Sequence, residues 1–185
     1  MAANSAECDR NIAHMGKIID HMGEYIQCIA INADMGTQAS PFASPALVEQ
    51  VTAPFLKRFC SFVHENSNIK VFLHSCGSIE PLIPILIEAG IDVLNPVQIS
   101  ANNMNPQNLV DKYGGKIVFW GGGCDTQHVL GVATPAKVAE NVRESVGIFK
   151  RTSGYVFNQV HNIMGDVPPE NIIAMLETAY KESFY

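Results

Sequence analysis

Positive charge is scarce in this sequence. Lys and Arg number 12 against 18 Asp and Glu, a formal net charge of −6. That balance offers no basic surface to nucleic acid and no polybasic anchor to an anionic membrane. Charge of either sign is thin, at 16%, against roughly 25% in an average soluble chain. Long apolar runs are lacking. No stretch reaches the roughly 18 residues of a membrane helix, so none is expected. The opening MAANSAECDRN has no basic start before an apolar block, so no secretory signal is expected either. No GxGxxG follows the first strand-like segment, which argues against a dinucleotide site. The GGG at 121–123 lacks that spacing and no Gly-Lys-Ser/Thr follows it, which leaves little case for a phosphate loop.

Five cysteines are present: Cys8, Cys28, Cys60, Cys76 and Cys124. The number is odd and the spacings do not form a secreted disulfide framework. A reducing, cytoplasmic setting is expected. Each thiol is then core, metal ligand or nucleophile. Cys60 in RFCSFV and Cys28 in YIQCIAI read as core; Cys8 is uninformative.

What the chain does have is apolar material, 47% of 185 residues. That is enough for a core and too much for a disordered chain. The length suits a single domain over 1–185, with 1–26 as a helical lead-in. Strand and helix signals alternate. Strands are predicted at 27–32, 70–74, 92–95, 117–120 and 155–159. Helices are predicted at 5–24, 44–66, 79–89, 105–113, 134–152 and 168–182. Ser44, Asn105 and Thr134 each precede a proline, the pattern of an N-cap with Pro at the first helical position.

Strands that are apolar without alternation predict a parallel sheet covered by helices. An open doubly wound sheet and a (β/α)8 barrel both fit. Polar residues follow every strand: Asp34; His74 with Cys76; Asn95; Cys124 with Asp125; His161 with Asn162. An open sheet would need them only beside its switch point, so the pattern favours the barrel.

His74-Ser75-Cys76 is the sharpest local feature. Residues i and i+2 of an extended segment point the same way, so both donors can reach one metal ion. Zinc accepts neutral imidazole and thiolate, and a catalytic site uses three protein ligands with one position open. Cys124 and His161 are the candidates for the third. The plainer alternatives are a buried thiol beside a structural His, a loop thiol at 124 and a capping or substrate-contacting His at 161. Asp34 and Asp125 could orient a ligand or touch substrate, or could simply form turns. Gln38 and Gln127 could donate to substrate. His14, His21 and His64 read as surface or packing residues.

Three blocks carry a family resemblance: VFLHSCGSIEPLIPILIEAGIDVLNPVQ, FWGGGCDTQHVL and YVFNQVHNIMGDVPPENIIAMLE. In that order they resemble the uroporphyrinogen decarboxylase superfamily, and most of all its corrinoid-dependent methyltransferase branch. The resemblance covers about residues 28–182. It implies the fold class α/β, a partial (β/α)8 TIM barrel whose five strands are the fourth to eighth. The first three strands have no counterpart here, which suggests a fragment, a truncated frame or a split protein needing an N-terminal half-barrel or a second copy. Open strand edges would then lie at 27–32 and 155–159.

The zinc methyltransferases of the family hold their metal with an HxC pair and a Cys after the last strand. His74 and Cys76 match the pair, and His161 stands where the last Cys would be. In the decarboxylases a His in the similar segment touches the tetrapyrrole. The arginine motif and essential Asp of the decarboxylases have no match here. The resemblance therefore implies a zinc-dependent methyltransferase using a corrinoid (cobalamin) on a partner protein and a small-molecule substrate. Its metal ligands would come from His74, Cys76, Cys124 and His161. Asp34 and His161 are its candidate catalytic residues. Asp34, Gln38, Asn95, Asp125 and Gln127 are its candidate substrate contacts. Two rivals remain: tetrapyrrole decarboxylation, and a non-catalytic binding or assembly module.

Overall fold

The computed structural model describes residues 2–152 and 154–184. Helix α1 (Ala2–Met22) and a 3-10 turn lead into β1 (Cys28–Asn32). Helices α2 (Pro45–Val51) and α3 (Ala53–Asn66) follow, then β2 (Lys70–His74), α4 (Ile83–Glu88) and β3 (Val93–Asn95). The chain continues through α5 (Pro106–Tyr113), β4 (Val118–Trp120), α6 (Pro135–Phe149), β5 (Tyr155–Val156) and α7 (Pro169–Glu182). No helix among the described residues is long and apolar enough to cross a membrane.

The three expected caps form. Ser44 Oγ accepts from Leu47 N at 3.3 Å, Asn105 Oδ1 from Asn108 N at 3.2 Å, and Thr134 Oγ1 from Lys137 N at 3.5 Å. Each relieves one unpaired donor of a first turn. The helix expected over 44–66 is two helices. Its break falls at Thr52, because Pro54 cannot donate to a preceding turn and so sits in the first turn of α3. The helix expected over 79–89 begins instead as a 3-10 turn, Glu80–Leu82.

The five strands are all parallel and lie in the order β1-β2-β3-β4-β5. A doubly wound sheet reverses its order at a switch point; this one does not, and the arrangement is that of a partial barrel. Alternation along each strand creates two faces. Val71, Leu73, Leu94 and Phe119 point outward under the helices, where Leu73, Leu94 and Phe119 are fully buried. Phe72, His74 and Trp120 point the other way and are half-buried, while Ala30 and Asn32 beside them are exposed. A smaller core joins α6 and α7 through Val138, Val142, Val146 and Met175.

Among the described residues β1 pairs only with β2, and β5 only with β4. Strand β5 has two residues, not the five expected. After Val156 the chain turns so that Asn158 O accepts from Gly123 N at 2.8 Å, with the Phe157 ring packed where a Gly123 side chain would stand. Cys28, expected in the core, is half-buried on the edge strand β1.

Candidate metal centre

Register brings the first ligand into place. Asn32, His74 and Asn95 are direct neighbours across β1, β2 and β3, one row at the carboxyl ends of the strands. His74 Nδ1 lies 2.6 Å from Asn95 Oδ1. An amide oxygen only accepts, so Nδ1 carries the proton and the Nε2 lone pair is free. The amide's orientation is fixed in turn, because its Nδ2 donates to Trp120 O at 2.9 Å. Asn95 is 7% exposed. Its amide is held at both ends, by His74 and by the Trp120 carbonyl.

Cys76 follows two residues later on the same face. Its Sγ lies 3.5 Å from His74 Nε2. Burial, then the charge of Asp34 and a hydrogen bond with it, push the thiol up to about 11. The free chain therefore carries a thiol, and a metal taking it as thiolate must release a proton. The third member is His161, exposed in the loop after β5. Its ring centroid lies 6.1 Å from that of His74, at 61° between planes. One donor atom from each of His74, Cys76 and His161 lies within 4.8 Å of the others, the one such group among the described residues. Zinc–nitrogen and zinc–sulfur bonds of about 2.0–2.3 Å at tetrahedral angles set donors about 3.3–3.8 Å apart. The 3.5 Å pair already meets that spacing, and the donor set of two imidazoles and a thiol suits zinc.

The remaining expected residues fall into two groups. Cys124 is not brought to the trio. It is fully buried in the α6–α7 core, and burial followed by the charge of Asp125 pushes its thiol up to about 12. Asp125 takes the turn-forming role: Oδ1 accepts from Gln127 N at 2.8 Å and His128 N at 3.1 Å, and Oδ2 meets His128 Nδ1 at 3.0 Å. Asp34, Gln38 and Gln127 do gather at the exposed carboxyl-end rim. Asp34 Oδ1 accepts the Cys76 N–H at 3.0 Å. Gln38 Nε2 donates to Ser100 O at 2.6 Å, and Ser100 Oγ donates to Gln127 Oε1 at 2.7 Å.

Sequence reasoning missed Gln98 and Ser75. Ser75 Oγ accepts from Met35 N at 3.0 Å and docks the loop after β1 onto the His-Ser-Cys turn. Gln98 touches the same turn through Gly77. Neither carries a spacing signal, because each acts on a loop distant in sequence.

Residues 13–182 match the sequence family described as uroporphyrinogen decarboxylase (URO-D). Among solved structures the fold is similar to that of a methyltransferase from Methanosarcina mazei. The TM-score is 0.70 at 17% identity, over 94% of this chain and 47% of that one. Such an identity speaks for the fold alone, and the chain spans about half the length of that methyltransferase. No curated protein matches.

Proposed function

The chain belongs to the uroporphyrinogen decarboxylase family, and from that premise we propose that it is the zinc-holding half of a methyltransferase barrel. The partner in the reaction is a corrinoid carried on a separate protein, and the methyl group moves between it and a small substrate. The observation that carries this reading is the convergence of His74, Cys76 and His161 at the carboxyl ends of the strands. These three would hold the metal and leave one of four positions for substrate. Zinc there supplies Lewis acidity, which lowers the pKa of a thiol substrate or polarises an ether oxygen. The chain's own residues do the positioning. Asn95 keeps His74 in the tautomer that offers Nε2. Asp34 holds the Cys76 backbone and presents an exposed carboxylate beside it as the candidate proton acceptor. Gln38 and Gln127 offer uncharged amides to substrate.

Charge weighs against tetrapyrrole decarboxylation. All 12 Lys and Arg lie on helices, at the amino ends of strands or in loops at that end. The loops after the strands hold three carboxylates, Asp34, Asp125 and Asp166, and no Lys or Arg. A substrate carrying many carboxylates needs cations there. Five strands also do not close an eight-stranded barrel. The working form adds the remaining strands, from a second polypeptide or from further chain.

The test is metal content of the untagged chain. About one zinc per chain is expected, lost in His74→Ala/Cys76→Ala and in His161→Ala and kept in Cys124→Ala. Folded protein that takes up no zinc would sink the reading.

A further inference from the structure

We infer that Gln98 is a positioning residue for the metal centre: its side chain locks the turn that aims Cys76, and it ties that turn to the loop after β1. The inference rests on the metal reading above. Four successive backbone N–H groups of the turn are all held from outside it. Ser75 N donates to Asn95 O at 2.8 Å, Cys76 N to Asp34 Oδ1 at 3.0 Å, Gly77 N to Gln98 Oε1 at 2.8 Å and Ser78 N to Thr37 O at 2.7 Å. Among the described residues no backbone hydrogen bond runs within the turn itself. Gly77 sits at φ +88, and glycine tolerates many other values. Without an external hold the Cys76 sulfur would drift from His74 Nε2.

Of the two partners that hold the turn through a side chain, Asp34 and Gln98, Gln98 has a side-chain brace of its own. Its Nε2 donates to Gln38 Oε1 at 2.7 Å, and Gln38 Nε2 donates to Ser100 O at 2.6 Å. An unbroken line of hydrogen bonds therefore runs from Gly77 through Gln98 and Gln38 to Ser100. It joins the loops after β1, β2 and β3. Gln98 is also delivered by a residue in an unfavourable conformation. Val97 sits at φ +55, a region that β-branched side chains avoid. Such a conformation persists only where its surroundings over-determine it. Its result here is that the Gln98 amide faces the turn. Close packing adds a second hold: a Cβ at Gly77 would lie 2.4 Å from the Gly36 carbonyl carbon, so the two loops meet backbone to backbone.

Cobalt(II) titration of the full chain tests the assignment, with wild type set beside Gln98→Met and Gln98→Glu. The Met variant removes the acceptor at nearly constant length. Its cobalt affinity is expected to fall roughly 10-fold, with the sulfur-to-cobalt charge-transfer band shifted. The Glu variant keeps an oxygen for the Gly77 N–H but has no donor for Gln38 Oε1, so it is expected to return the band only part of the way. Band position is the readout a merely structural residue would leave alone. Wild-type affinity and an unshifted band in Gln98→Met would overturn the proposal. Should that variant fail to fold, Gln38→Met removes only the brace. A few-fold loss with a shifted band supports the proposal, and no change overturns it. A wild-type chain that binds no cobalt would instead remove the metal reading, and this inference with it.

Discussion

The two faces of the sheet obey different rules. On the outer face Leu73, Leu94 and Phe119 lie under helices and are fully buried. On the inner face, one residue away along the same strands, Phe72, His74 and Trp120 are half-buried and Ala30 and Asn32 are exposed. In a closed barrel the inner face is a packed core. Here it holds the chemistry and only fragments of packing, such as the edge-to-face contact of Phe72 and Trp120 at 5.3 Å. Stability and function are thus divided by the period-two alternation of the strands. Changes on one face should be felt in folding, and changes on the other in binding.

The sharpest break in that comparison is a ligand change. His74→Ala or Cys76→Ala is expected to reduce zinc affinity by several orders of magnitude while moving the urea midpoint little. A zinc titration beside a denaturation curve checks both at once. Next comes Leu73→Ala, whose side chain points the opposite way. It is expected to cost about 2–5 kcal/mol, read from the urea midpoint of the metal-free chain, with Val118→Ala on the half-buried inner face costing clearly less. Asn95→Leu lies on the boundary. It frees the His74 tautomer and leaves the Trp120 carbonyl without its donor. Zinc affinity is expected to fall about 10- to 100-fold, the middle of the range, by competition against a chelator.

The smallest expected effect sharpens the outer side. Glu80 is raised by burial, but hydrogen bonds from Lys112 at 2.8 Å and Tyr113 at 2.7 Å, with the Lys112 charge, outweigh that and hold its carboxyl below the usual range. A carboxyl lowered in the folded state stabilises above its unfolded value and loses that contribution as pH falls through its folded value. The stability gap between wild type and Glu80→Gln should therefore narrow as pH drops from about 5 to about 3. Urea midpoints across that window would show it, and a gap that widens would contradict the arrangement.

Much of this architecture is legible in the amino-acid order. The prolines after Ser44, Asn105 and Thr134 announce three helix starts, and the apolar strands announce parallel pairing. The His-Ser-Cys turn is legible because alternation places its donors on one face whatever the rest of the chain does. Pro54 is legible too, and a single helix carried through it misreads a residue that belongs in a first turn. Other features depend on where loops meet. For Asn95 the sequence shows its place after a strand and not its bonds to His74 and the Trp120 carbonyl. Cys124 and His161 are equal candidates by type. The path after Val156 brings His161 to the pair, while Cys124, in the loop after β4, is buried in the α6–α7 core. Gln98 lies 21 positions from the glycine it holds, and no periodicity links them.

The distribution of the thiols makes the chain its own reporter. Cys8, Cys60 and Cys124 are buried, and only Cys28 and Cys76 are half-buried. An alkylating reagent applied to the native protein meets two candidates, one on the sheet edge and one in the candidate metal centre. Peptide mapping separates them. Any occupant that claims the Cys76 sulfur will slow the labelling of that cysteine and leave Cys28 as the internal clock, so a ratio of two labelling rates screens for ligands whatever the substrate is.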